Sequence, residues 1–260
     1  MVESFTALAV ETRGLCKRYG ELRALDGLDL RIATGSFYGL LGPNGAGKST
    51  TLGLLTGLLR PSQGEIRLYG RALDPDDPAF KLLMGVVPED PPLFERLTGF
   101  EQLLFTGRMF GLGREVAGAR AADLLRLLRL EGAAGALTVD YSRGMRKKLS
   151  IGCALIHAPR LLFLDEPFEN VDAISADTIR RLLLALTGSG ATVLLTTHIL
   201  EVAQKVCRRV GIIHRGKLVQ EIDIADLTHS GRELDVAFRA AVGEERAEEI
   251  PAWLSGGPHA

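Results

Sequence analysis

Short apolar runs separated by longer segments of helical spacing extend through most of the chain. Residues 28–32, 37–41, 65–69, 161–164, 192–196 and 210–214 carry alternating or clustered apolar side chains of β-forming type and read as strands. Segments 49–59, 178–186 and 199–208 repeat apolar residues at helical spacing. This alternation predicts an α/β fold on a mostly parallel sheet. Between about 97 and 158 it stops, because FEQLLFTGRMFGL and REVAGARAADLLRLLRL place leucines at i, i+3, i+4 and i+7 without a strand signal, which predicts a helical insertion. Beyond 222 the chain is richer in Asp, Glu and Ala and closes on PAWLSGGPHA, predicting a short helix and a loose tail.

The strongest chemical signal follows the strand FYGLL. Gly42, Pro43, Asn44, Gly45, Ala46, Gly47, Lys48 and Ser49 satisfy GxxxxGK[ST] and open the helical run STTLGLL. Glycines let consecutive backbone N–H groups turn toward phosphate oxygens, and a helix N-terminus adds its positive dipole end. Lys48 supplies a mobile cation, Ser49 a hydroxyl for Mg²⁺, and Thr50 a further donor. The pattern predicts binding of a nucleoside triphosphate without saying what its hydrolysis drives.

A second apolar run, LLFLDEP, ends in Asp165 and Glu166, where an α/β sheet presents ligand groups. Asp165 is placed to hold the Mg²⁺ shell, and Glu166 to orient or deprotonate the attacking water. His198, after ATVLLTT, should emerge at the same edge within reach of the γ-phosphate; taken alone, a histidine at a strand end is more often a surface or packing residue.

With these motifs in this order, residues 8–219 resemble the nucleotide-binding domain of ABC transporters. The resemblance implies a P-loop NTPase fold with a RecA-like, mostly parallel sheet, spanning 1–225 with a helical subdomain inserted at about 93–158, followed by a C-terminal helix and tail over 226–260. It implies that Tyr141-Ser-Arg-Gly-Met145 is the family's signature, departing from the commoner LSGGQ but keeping Ser142 and Gly144 at a helix N-terminus. Ser142 also reads, more plainly, as a helix N-cap, and the two readings are compatible. Tyr19 matches the position whose ring stacks on adenine, and Asp172 the loop that contacts the opposite subunit. Where the family usually has a Gln touching Mg²⁺ and water this chain has Glu89, whose carboxylate also ligates Mg²⁺ but adds negative charge beside a triphosphate. Leu93 and Phe94 fall where relatives receive a helix of the membrane subunit. Leu254-Ser-Gly-Gly257 copies the commoner signature only by coincidence, since it follows the acidic strand and precedes Pro258.

Composition narrows the partners. The 31 Lys and Arg against 32 Asp and Glu leave a formal net charge of -1, so no field gathers nucleic acid nonspecifically, and none is expected as a partner. Cys16, Cys153 and Cys207 form no CxxC pair and point to a reducing compartment. No apolar run approaches the ~18 residues that span a bilayer, and the N-terminus lacks signal-peptide features. The expectation is an ATP- and Mg²⁺-dependent hydrolase, cytoplasmic and peripheral on the inner membrane face, pairing with a second nucleotide-binding subunit, in homodimer form, and with a separate transmembrane permease that it powers, in the export direction. The alternatives are a soluble ABC-type ATPase of repair, translation or cluster assembly, and a regulatory nucleotide switch.

Overall fold

The computed structural model describes residues 7–230 and 232–243. In chain order the strands are β1 (Leu8–Tyr19), β2 (Leu22–Ala33), β3 (Phe37–Leu41), β4 (Gln63–Leu68), β5 (Arg71–Ala72), β6 (Met84–Val87), β7 (Leu161–Asp165), β8 (Thr192–Thr197), β9 (Arg209–His214) and β10 (Lys217–Asp223). The α-helices are α1 (Lys48–Leu55), α2 (Pro78–Leu83), α3 (Gly99–Met109), α4 (Arg114–Leu127), α5 (Arg143–Leu155), α6 (Ala173–Gly188), α7 (Leu200–Val206), α8 (Ile224–His229) and α9 (Leu234–Val242).

A six-stranded sheet, ordered β10-β9-β3-β8-β7-β6, is parallel except for its edge strand β10. Every residue of β3 and β8 is buried, the signature of a parallel strand covered on both faces. Register decides where its chemistry emerges. Leu41 of β3 lies opposite Thr197 of β8, and Asp165 of β7 opposite Thr196, so the three strands finish together at one edge. The chain therefore delivers the 42–49 loop, the Asp165–Glu166 pair and His198 to one rim of the sheet, where open α/β sheets bind ligands.

The expectation of a single sheet is corrected in one respect. Residues 28–32 and 65–69 belong mostly to β2 and β4, which with β1 and β5 form a separate antiparallel sheet, β2-β1-β4-β5. Alternate burial along β2 is the mark of a strand with one covered face, as antiparallel sheets allow. The irregularity of β1 after Thr12 is bridged by that residue's hydroxyl, which donates to Leu28 O at 2.8 Å and accepts from Leu30 N at 2.9 Å. This second sheet carries Tyr19 at the end of β1.

Helices α3, α4 and α5 follow β6 and precede β7, as the leucine spacing predicts, and Leu103, Leu124, Leu125, Leu128, Leu149 and Ile156 form their shared core. Thr98 and Glu101 close a reciprocal capping box at the start of α3. Among the described residues past 222 two helices, α8 and α9, are formed, α9 lying against α7. The tail from 244 onward, with Leu254-Ser-Gly-Gly257, lies outside the described residues. Among the described residues no helix is long and apolar enough to cross a membrane.

Candidate active site

The loop leaving β3 turns where only glycine fits. A Cβ on Gly42 would stand 2.4 Å from Ile213 O, and one on Gly47, held at φ +110°, would stand 2.7 Å from Leu25 Cδ2. No side chain caps α1 at Gly47, so the N–H groups of its first turn remain directed at whatever the loop encloses. Lys48 opens that helix, is 7% exposed, and donates from Nζ to Gly42 O at 2.9 Å. This carbonyl supplies an acceptor that the buried cation requires.

Glu166 follows β7 with φ +43°, a left-handed conformation uncommon for a residue with a side chain and concentrated at functional sites. Its N–H donates to Thr196 O at 3.2 Å, fixing the turn against β8. The carboxylate is 5% exposed, with Oε1 lying 3.4 Å from Lys48 Nζ and 3.0 Å from His198 Nδ1. His198 also donates its backbone N–H to Oε2 at 3.3 Å. A buried carboxylate without partners would be costly, and these contacts hold it at the rim in one orientation.

These groups border a cavity of about 710 Å³. Pro43, Asn44, Gly45, Gly47, Lys48, Ser49 and Thr50 of the loop line it together with Glu89, Glu166, His198 and Tyr19. The Tyr19 ring is 46% exposed, with Lys17 Nζ 5.1 Å from its centroid. Gly42 and Ala46 support the loop from behind, the Ala46 carbonyl accepting from Gly216 N at 2.9 Å. Asp165 lies beside Glu166 but outside the cavity lining, its carboxylate accepting the Thr196 hydroxyl.

Ser142, Gly144 and Asp172 form a second group outside that lining. Ser142 caps α5 by accepting from Met145 N at 3.2 Å. Asp172 caps α6, accepting from Ile174 N at 3.0 Å and Ser175 N at 2.9 Å, and bonding to Ser175 holds its carboxyl below the ordinary aspartate range. The first turn of α5 lies against the cap of α6, since a Cβ on Gly144 would stand 2.8 Å from Asp172 Oδ2.

Sequence reasoning missed Arg23, Glu169, Arg215 and Gly216 as cavity residues. Glu169 brings a third carboxylate, its ligand atom within 4.8 Å of those of Glu166 and His198. Its position three residues beyond the acidic pair was the available signal; Arg215 and Gly216 arrive through tertiary packing and left none.

A glycine cradle opening a helix, a buried lysine and a carboxylate at the rim of a parallel sheet define a P-loop nucleoside triphosphatase. Residues 25–169 match the family model described as ABC transporter. The chain is 38% identical over 240 residues to the daunorubicin/doxorubicin resistance ATP-binding protein DrrA of Streptomyces peucetius, covering 92% of this chain and 73% of that one. It is 40% identical to Nod factor export ATP-binding protein I of Cupriavidus pinatubonensis, covering 90% and 72%. A solved ATP-binding subunit of an ABC transporter superposes with a TM-score of 0.82 at 30% identity, covering 90% of this chain and 99% of that one. A dimeric ATP-binding cassette in a post-hydrolysis state, bound to ADP and Pi, superposes at 0.75 with 27% identity, covering 83% and 98%. The chain belongs to the ABC transporter family, as an ATP-binding subunit. It is a transport-coupled ATP hydrolase.

Proposed function

We propose that the chain binds ATP with adenine against Tyr19 and the triphosphate in the 42–50 loop, and that a second copy closes on it through Ser142 and Gly144. The observation that carries this reading is Glu166, a buried carboxylate held between Lys48 and His198 at the rim of the glycine cradle. Lys48 exchanges the Gly42 carbonyl for phosphate oxygens. Glu166 accepts a proton from water as the water oxygen bonds to the γ-phosphorus; the bond to the bridging oxygen breaks, and its electron pair leaves with ADP. His198, anchored on Glu166, orients toward the phosphate.

The residues present fit Mg²⁺, because Ser49, Glu89 and Asp165 offer only hard oxygen donors. Bound there, the ion would offset negative charge on the phosphates. Asp165 would reach it by exchanging its contact with the Thr196 hydroxyl.

The subunit serves an exporter, a reading supported by relatives named for drug resistance and Nod factor export. It works as a homodimer on the cytoplasmic face of the membrane, held there by a separate membrane-spanning permease and needing no nucleic acid. An apolar groove of about 440 Å³ lined by Leu58, Met84, Leu93, Phe94 and Phe110 supports the seating of that partner. Replacing Glu166 with Gln is expected to preserve ATP binding and lower phosphate release by about 10²–10⁴-fold, the range of a lost general base. Turnover at the unsubstituted rate would contradict the assignment.

A further inference from the structure

Lys147 is a cation where burial is expensive. It sits on α5, five residues past the Ser142 cap, and is 6% exposed. Its Nζ donates to the main-chain carbonyl of Glu89 at 2.5 Å and stands 3.5 Å from that of Pro88. Burial lowers its pKa from the ordinary lysine value, against the opposing pull of the Glu89, Asp165, Glu169 and Asp90 carboxylates.

Its surroundings explain why a buried ammonium is tolerated. A small cavity of about 240 Å³ is lined by Lys147, Arg143, Arg146, Glu89, Asp90 and Glu169 among others. Glu89 and Glu169 line the larger cavity as well, so the cavity that holds Lys147 adjoins it through these two residues. Glu166, Glu169 and Glu89 together would otherwise set three negative groups against a bound triphosphate. The buried lysine, acted on by Glu89 and Glu169, offsets part of that charge, and its carbonyl bonds fix where the Glu89 backbone stands.

We propose that Lys147 is a positioning residue for ATP hydrolysis, which anchors the Glu89 main chain to α5 and supplies the charge that lets Glu89 face the nucleotide. The inference rests on the proposed reading of Glu89 as a nucleotide-facing group. Glu89 in turn carries a carboxylate that the buried lysine makes compatible with a bound triphosphate.

The test combines Lys147→Met, which removes the donors and keeps the apolar stem, with Lys147→Arg, which keeps a charged donor, and with Glu89→Gln. In nucleotide-free protein, cleavage after Glu89 by a glutamate-specific protease should accelerate by about tenfold in Lys147→Met and stay near the unsubstituted rate in Lys147→Arg, a coupling of ordinary size. In steady-state assays Lys147→Met should lower kcat and raise KM for ATP, each by about tenfold. Adding Glu89→Gln should restore KM, because the uncompensated charge is gone, and leave kcat low, because the anchor is still missing. Unchanged cleavage and unchanged KM in Lys147→Met, while Glu89→Gln alone alters turnover, would overturn the proposal and leave the reading of Glu89 intact. A silent Glu89→Gln, with KM in Lys147→Met insensitive to it, would instead overturn the reading on which the proposal stands and the proposal with it. Should Lys147→Met fail to fold, Lys147→Gln carries the same test, and kcat and KM equal to the unsubstituted values there would be as damaging.

Discussion

The glycine cradle and the paired caps at Ser142 and Asp172 are built on opposite principles. In the cradle the charged groups are buried and already partnered, Lys48 with the Gly42 carbonyl and Glu166 with His198. At the caps, Ser142, Asp172 and the neighbouring Ile174, 71% exposed, face solvent, and the polar groups bond only the first turns of their own helices. A buried network with its partners in place is set before any ligand arrives. At the two helix starts the caps already take first-turn N–H groups, Ser142 that of Met145 and Asp172 those of Ile174 and Ser175, and the exposed cap side chains face whatever lies outside the chain. On the proposed reading, one chain owns a complete phosphate cradle and half of a second site, and catalysis needs both halves.

This contrast can be broken from either side. After the loss of Glu166, the largest effect belongs to Lys48→Ala, which removes the only side-chain cation on the loop and leaves Glu166 without its buried lysine. Turnover should fall by roughly 10²–10³-fold, as for loss of one charge-stabilising group, with ATP affinity reduced in the isolated chain by equilibrium titration. Ser142→Ala should cost about 1 kcal/mol of stability as a lost cap, seen as a small drop in Tm. Its distinguishing mark is that turnover falls while ATP binding to the isolated chain is unchanged. Tyr19→Ala should raise KM for ATP by roughly tenfold with kcat retained, the size of one lost base-stacking contact, whereas Tyr19→Phe should leave both unchanged.

The smallest effect concerns acid. Bonding to Ser175 and Ile174 depresses the Asp172 carboxyl in the folded chain. A depressed carboxyl stabilises the fold at pH values above its unfolded pKa, and that contribution is lost as pH falls through the folded value. Asp172→Asn should therefore melt at a lower temperature near neutrality, and the difference in Tm from the unsubstituted chain should shrink as pH falls below about 4, the ordinary carboxylate range. A difference independent of pH would remove the charged cap from the account.

The two regions also differed in how far they could be read beforehand. The 42–49 loop, the strand ending at Asp165 and the strand before His198 are local patterns, and shared register brings them to one rim, so fold class and cradle were legible together. Strand β1 was not, since Gly14, its charged residues and its irregular pairing with β2 blur the alternation. Period-two spacing marked 28–32 and 65–69 as strands but carries no record of which sheet a strand joins. Strand β10 was missed because KLVQEID is an exposed edge with only Ile222 buried. The retreat of Asp165 from the cavity lining depends on a hydroxyl 31 residues away, a contact no local pattern announces.

The claim that each working site is assembled from two chains is tested most directly by mixing two inactive variants. A chain with Lys48→Ala keeps its Ser142 end, and a chain with Ser142→Arg keeps its cradle, so each alone should show only background hydrolysis. Mixed in equal amounts, the purified proteins should recover roughly a quarter of the unsubstituted ATPase rate, since about half of the dimers form by pairing unlike chains and each holds one complete site of two. A mixture no more active than its separate components would contradict the account.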